Sequence, residues 1–303
     1  MAGNVVETTR LTKRYGDVVA VDDLSLAVPR GTVFGLLGPN GAGKTTIIGS
    51  LLGLIRPSAG TIRLFDAEID GSTDAAVRRI GAIMETPAFY PYLSGRDNLR
   101  YFQGITGDAD DSEIGRLLDL VGLAERAEDR FNTYSLGMKH RLGIAYALLG
   151  DPELLLLDEP TNGLDPSGMA EVRQLLRRLG DGDRTIVLAS HLLNEVEQVC
   201  DRVAILSRGR VIAEGAVGDL LGRRDRLRLV TTDDPGARRL LEALDWVGSV
   251  AEADGGLLVE APSGRAAELS AALSVAGIFP AELRTVATSL EQYFLEVTGE
   301  ETP

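Results

Sequence analysis

Val5 to Leu11 and Leu24 to Val28, each apolar at both ends with polar positions between, read as two short strands. A third stretch, Thr32-Val33-Phe34-Gly35-Leu36-Leu37, is apolar without alternating and runs into a glycine-rich loop. The loop runs into a helix-like segment that continues through Ile55 and stops at Pro57-Ser58-Ala59-Gly60. Further strands are predicted at Thr61 to Phe65, Ile80 to Met84, Thr185 to Ala189, Val203 to Leu206 and Val211 to Ala213. Leu154 to Leu157 is apolar at every position, the pattern of a strand covered on both faces. Residues 94–150 are mostly helical in pattern, and helices are predicted at Ser167 to Leu179 and Leu192 to Cys200. Strands and helices that alternate in this way predict an α/β fold, a mixed and mostly parallel sheet with helices on both faces.

The charged stretch Gly222-Arg223-Arg224-Asp225-Arg226 breaks the pattern. Beyond it the order is strand (Leu227 to Thr231), helix (Pro235 to Leu244), strand (Trp246 to Glu252), strand (Gly256 to Ala261), helix (Gly264 to Ala276), strand (Ile278 to Thr285) and helix (Ser289 to Thr298). That predicts a small α+β domain over 226–303, after a first domain over 1–217 whose helical subdomain is about 94–150.

The glycine-rich loop carries the most specific chemistry. Gly38, Gly43, Lys44 and Thr45 have the spacing G-x-x-x-x-G-K-[ST] of a phosphate-binding loop. Gly38, Gly41 and Gly43, with Pro39, Asn40 and Ala42 between them, let backbone N–H groups turn inward around phosphate. The helix that starts near Lys44 adds the positive end of its dipole. Lys44 is placed to reach the β- and γ-phosphates of a nucleotide, and the Thr45 hydroxyl, followed by Thr46, to ligate Mg²⁺. A second cluster sits at the end of the apolar strand, in Asp158-Glu159-Pro160. Two adjacent carboxylates there need a cation or a proton to manage them. Asp158 suits Mg²⁺ held through water, and Glu159 suits a water being polarised for attack.

Other residues admit two readings each. Tyr15, in Tyr15-Gly16-Asp17, is either a ring for adenine to stack on or a hairpin-turn residue. Ser135 in Ser135-Leu136-Gly137 is either a second anion site at a helix start or a helix cap. His191 at a strand end either senses a γ-phosphate or caps a helix. Lys139, His140 and Arg141 read as a solvated helix face. Phe89, Tyr90 and Tyr92 lie on a loop with two prolines and either form a partner surface or cap the next helix. Ser94 and Asp97 resemble a capping pair.

Composition narrows the class. At 303 residues the chain can bury roughly three quarters of its unfolded surface. A net charge of −14 argues against nucleic acid as a partner. It does not oppose nucleotide binding, because surface charge is screened beyond about 8 Å at physiological salt. The single cysteine, Cys200, rules out an intramolecular disulfide and fits a reducing compartment. No apolar h-region opens the chain, so no signal peptide is expected, and no apolar run approaches the ~18 residues of a membrane span.

Taken in order, these motifs resemble the ATP-binding subunit of ABC transporters over about Val5 to Gly215. The order is the aromatic Tyr15, the Walker A loop Gly38 to Thr46, a Q-loop position at Glu85, the signature Ser135-Leu136-Gly137-Met138-Lys139, Walker B Leu154 to Glu159, a D-loop at Asn162 to Asp165, and the switch histidine His191. Two departures are a glutamate, Glu85, in place of the Q-loop glutamine, and Leu136 and Met138 where glycine and glutamine are usual. With Phe89 to Tyr92 and the tail Ser289-Leu290-Glu291-Gln292-Tyr293-Phe294-Leu295, they look like the bacterial drug-export branch, of the bacitracin and daunorubicin-resistance type.

The resemblance implies ATP and Mg²⁺ as cofactors. ATP would be sandwiched in a head-to-tail homodimer, between the Walker A loop of one chain and Ser135, Gly137 and Met138 of the other. Thr45, Asp158 and Glu85 would surround the metal, Glu159 would polarise the water, and His191 would position it beside Lys44. It also implies a separate transmembrane permease, docked through Phe89, Tyr90 and Tyr92, and a place on the inner face of the cell membrane. Two other classes compete. A soluble ABC-type ATPase acting on ribosomes or DNA usually carries two cassettes, a long coiled coil or zinc cysteines, and a P-loop kinase or GTPase has no need of Ser135 to Met138.

Overall fold

The computed structural model describes residues 3–69, 74–84, 88–107, 109–182, 184–222, 226–253, 255–286 and 289–298. The chain divides into two compact units, Met1–Ala216 and Val217–Pro303.

The first unit opens with a long hairpin, β1 (Asn4–Tyr15) and β2 (Val18–Pro29), each twelve residues. The sequence predicts shorter strands because the polar stretches Thr12-Lys13-Arg14 and Asp22-Asp23 interrupt the apolar pattern. Strand β3 (Val33–Leu37) leads through the loop at 38–43 into helix α1 (Lys44–Leu51). Then follow β4 (Ala59–Leu64), β5 (Ala67–Glu68), α2 (Asp74–Val77) and β6 (Ile80–Met84). The helical insert contains α3 (Gly95–Thr106), α4 (Asp111–Leu120) and α5 (Leu136–Ala147). The rest is β7 (Leu154–Asp158), α6 (Pro166–Gly180), β8 (Thr185–Ser190), α7 (Leu193–Val199), β9 (Arg202–Ser207) and β10 (Arg210–Ala216).

Two sheets result. One is antiparallel, in the order β2-β1-β4-β5. The other runs β10-β9-β3-β8-β7-β6 and is parallel except for β10. Strands β3, β7 and β8 are buried at every position, which is why they read as unbroken apolar runs. Helix starts follow side-chain caps: Ser94 accepts from Asp97 N, Asp110 from Ser112 N, Ser135 from Met138 N and Asp165 from Gly168 N. Because β3 and β7 lie either side of β8 in one parallel sheet, the loop after β3 and the carboxylates after β7 emerge at the same edge, the C-terminal ends of the strands.

The second unit has α8 (Val217–Gly222), β11 (Arg226–Thr231), α9 (Asp234–Leu241), β12 (Val250–Ala253), β13 (Gly256–Glu260), α10 (Ala266–Val275), β14 (Pro280–Val286) and α11 (Leu290–Thr298). Its four strands form an antiparallel sheet, β12-β13-β11-β14, with a core of its own around Leu227, Leu229, Leu241, Val259, Leu269 and Leu273. The strand predicted from Trp246 begins only at Val250. The Trp246 ring instead packs under the Arg265 guanidinium, 4.2 Å from its centroid, so an aromatic that scores as strand serves a side-chain stack. Among the described residues, no helix is long and apolar enough to cross a membrane.

Candidate functional site

Gly43 fixes the geometry of the loop. Its φ is +103°, and a Cβ there would lie 2.5 Å from the Ala20 carbonyl oxygen, so only glycine lets the chain turn from loop into α1. Lys44 begins that helix and is buried. Its ammonium donates to the Gly38 carbonyl at 2.7 Å and to the Pro39 carbonyl at 3.3 Å. It also lies 3.3 Å from Oε1 of Glu159, an ion contact rather than a formed hydrogen bond.

Thr45, the next residue, donates its hydroxyl to Oδ2 of Asp158 at 2.7 Å. Asp158 is the last residue of β7 and is 1 % exposed. Glu159 follows with φ +49°, a left-handed conformation that costs a residue with a side chain about 1–3 kcal/mol. Its N–H donates to the Ala189 carbonyl at 2.9 Å, which ties the turn to β8. His191, just past the end of β8, brings Nδ1 to 2.9 Å from Oε2 of Glu159. The Glu159 carboxylate thus has an ammonium on one oxygen and an imidazole on the other.

A cavity of about 440 Å³ joins these groups. The loop and helix start from Asn40 to Thr46 line it together with Asp158, Glu159, Asn162 and His140. A helix N-terminus and a lysine meet two carboxylates in its wall. Such a site suits a polyanion that brings a divalent metal with it.

The remaining predicted residues lie elsewhere. Tyr15 ends β1, is half-exposed and does not line the cavity; the Lys13 ammonium sits 4.8 Å above its ring. Ser135 caps α5 and accepts from the Met138 N–H at 3.2 Å. Ser135, Gly137 and Met138 do not line the chain's own cavity. Glu85 lies outside the described residues.

Phe89 is half-buried, with its ring edge-on to Phe102, Phe131 and Tyr146. Tyr90 and Tyr92 face solvent, the latter 78 % exposed. The loop is held by Asn98, fully buried, which accepts from Tyr90 N at 2.8 Å and donates to Tyr90 O at 3.1 Å. Phe89 thus packs inward against α3, as its capping reading expects, and the two tyrosines point outward.

One reading is corrected. Lys139, His140 and Arg141 do not form a solvated face: His140 is buried, and Arg141 donates to the Val121 and Gly122 carbonyls. Burial pushes the His140 imidazolium below the usual histidine range, and the Pro160 carbonyl opposes this only in part. The spacing holds the missed signal, because His140 shares its face with Ile144 and Ala147, both buried. Asn162 is the other lining residue that local sequence marks only as a turn.

A family model described as ABC transporter matches residues 21–162. The chain is 40% identical over 299 residues to the bacitracin transport ATP-binding protein BcrA of Bacillus licheniformis, covering 97% of each chain. It is 36% identical to the daunorubicin resistance ATP-binding protein DrrA3 of Streptomyces coeruleorubidus, covering 99% of this chain and 98% of that one. In fold it is similar to the ATP-binding cassette MJ0796, solved as a dimer in a post-hydrolysis state with ADP and Pi. The TM-score is 0.63 at 23% identity, over 70% of this chain and 98% of that one.

Proposed function

This chain belongs to the ABC transporter family as an ATP-binding subunit that hydrolyses ATP, and from that premise we propose how its residues divide the work and what they drive. The cavity beside Lys44 takes the polyphosphate of ATP. The loop N–H groups and the α1 dipole hold the β- and γ-phosphates, and Lys44 exchanges its carbonyl contacts for phosphate oxygens. Thr45 and Asp158 offer the hard oxygen donors that Mg²⁺ prefers, and Glu85 is an oxygen ligand proposed from its place in the motif order. The metal, when bound, neutralises charge on the β- and γ-phosphates. Glu159 takes the proton of the attacking water, and His191 orients that carboxylate from its far oxygen.

The proposed assembly is a head-to-tail homodimer. Its support is that Ser135, Gly137 and Met138 form a capped helix start away from the chain's own cavity, as a group lent to a second copy would. ATP then binds the subunits together and hydrolysis releases them. Tyr15 is the proposed adenine platform; its stacking adds about 0.5–1.5 kcal/mol, enough to orient the base.

The work is export of a drug- or antibiotic-like small molecule through a separate membrane permease. The names of the bacitracin and daunorubicin-resistance relatives support this, since the likeness runs nearly end to end. The permease docks on Tyr90, Tyr92 and the groove beside Phe89, and it holds this subunit at the inner face of the membrane.

Mixing a Lys44→Ala chain with a Ser135→Ala chain tests the assembly. Each alone is inactive, but a mixed dimer has one site built from two intact halves. Equal mixing restores about a quarter of parental hydrolysis, because half the dimers are mixed and each has one working site of two. If two folded variants restore nothing, the shared pocket is refuted.

A further inference from the structure

Glu195 is used by none of the steps above, yet it is a carboxyl group only 5 % exposed, in the first turn of α7. Its Oε2 accepts a hydrogen bond from the hydroxyl of Thr161, itself buried. Its Oε1 is buried without a hydrogen-bond partner. A carboxyl group buried on a single hydroxyl is costly, and an apolar side chain of the same length would fill the space without that cost. Glu195 is therefore explained by what it holds rather than by packing.

Thr161 and Glu195 stand in two turns, and each turn carries one member of the Glu159–His191 pair. Glu159 opens the first: its carbonyl accepts from the Asn162 N–H at 3.1 Å, with Thr161 inside the turn. His191 leads into the second. The Leu192 N–H donates to the Ser190 hydroxyl at 3.0 Å, spanning His191, and the Leu192 carbonyl accepts from the Glu195 N–H at 3.1 Å. The Glu159 N–H joins the two segments through the Ala189 carbonyl, and His191 Nδ1 joins them through Oε2 of Glu159. That last contact changes when the carboxylate takes a proton. The Thr161–Glu195 bond involves no reacting atom, and neither residue lines the cavity.

We propose that Glu195 is a positioning residue for ATP hydrolysis. Through the Thr161 hydroxyl it holds the turn that carries His191 against the turn that carries Glu159, so that Nδ1 and Oε2 meet again in every cycle. The proposal rests on the reading of Glu159 as the group that polarises the water.

Substitutions on both sides of the bond separate this role from packing. Glu195→Gln keeps an oxygen for the Thr161 hydroxyl, whereas Glu195→Met keeps the length without an acceptor. In the full chain, Glu195→Gln holds kcat within about threefold of the parent. Glu195→Met lowers kcat at least about tenfold and moves KM for ATP less than threefold, since misplacing a reacting group costs rate before binding. Thr161→Val lowers kcat by a similar factor, and Thr161→Ser restores it. The double variant Thr161→Val, Glu195→Met loses no more than either single one, to within about threefold, because both break one bond. A second readout follows His191 itself. The chain has two histidines, so ring ¹⁵N spectra, assigned with a His191→Ala chain, report His191 directly. Its resonances move in Glu195→Met and keep their place in Glu195→Gln.

Parental kcat in Glu195→Met, equal losses in Gln and Met, multiplied losses in the double variant, or His191 resonances unmoved in Glu195→Met overturns the proposal. If Glu195→Met does not fold, the Thr161 pair decides: a loss in Val that Ser recovers supports it, and parental kcat in Val overturns it. If the parent itself hydrolyses no ATP, the reading of Glu159 falls and the role in hydrolysis with it, while the His191 resonances still show whether Glu195 sets that turn.

Discussion

His191 Nδ1 lies 2.9 Å from Oε2 of Glu159, while the Lys44 ammonium lies 3.3 Å from Oε1 of the same carboxylate. The carboxylate is held at both ends beside the cavity. Glu159→Gln keeps the shape and removes the proton acceptor, so kcat falls about 10²–10⁴-fold. ATP binding is retained, because the loop and Lys44 are untouched. Phosphate release measures the first effect, and size-exclusion chromatography in ATP measures the second as a stable dimer. Hydrolysis at the parental rate would remove Glu159 from its role.

Thr45 and Asp158 make the corresponding statement about metal. Their 2.7 Å hydrogen bond sets a hydroxyl beside a carboxylate at the mouth of the phosphate loop. Asp158→Asn keeps that bond's acceptor and removes the charge. At saturating ATP, the Mg²⁺ concentration for half-maximal hydrolysis rises by about 10–100-fold. ATP binding measured in EDTA stays at the parental level. An unchanged Mg²⁺ titration would mean that Asp158 does not face the metal.

Gly81 tests the packing that carries α5. A Cβ on Gly81, in β6, would lie 1.7 Å from the Ala147 carbonyl oxygen and 2.7 Å from its carbon. Both contacts are backbone, so neither can swing aside. Gly81→Ala costs about 1–3 kcal/mol or more by overpacking. Calorimetry of the full chain should show the first transition lowered by several degrees, at roughly 2–4 °C per kcal/mol for a unit of this size. A transition at the parental temperature would show that α5 moves off the strand at little cost.

The sequence shows most clearly those features that one local stretch decides. Strands β3 and β7 are legible because a strand covered on both faces must be apolar throughout, and the loop from Gly38 to Thr45 because phosphate needs glycines, a lysine and a hydroxyl at fixed spacing. His140 is not legible in that way. Its place in the cavity wall is set by other elements, and a histidine between Lys139 and Arg141 looks polar until the helix face is counted. Trp246 misleads for a similar reason: strand propensity describes the residue, while its position follows from Arg265, nineteen residues further on. Tyr15 stays divided between its two readings, since the structure sets it beside Lys13 at the hairpin end and not on the cavity wall.

Cys200 closes α7 beneath β3, with its Sγ 3.2 Å from where a Cβ on Gly35 would be. It is buried, and burial, with Asp201 adding to it, pushes its thiol far above the ordinary cysteine range. The sign is unfavourable to chemistry: a raised value keeps the sulfur as thiol where a free cysteine of pKa about 8.5 is already partly thiolate, and the thiolate is the nucleophile. At pH 8 the native chain should therefore react with a maleimide or an aromatic disulfide at least about a hundredfold more slowly than the same chain in denaturant. Reaction then requires α7 to open from the sheet, so the residual rate reports that opening. Fast labelling of the folded chain, with ATP hydrolysis intact, would show that α7 and the His191 turn before it are not packed as described.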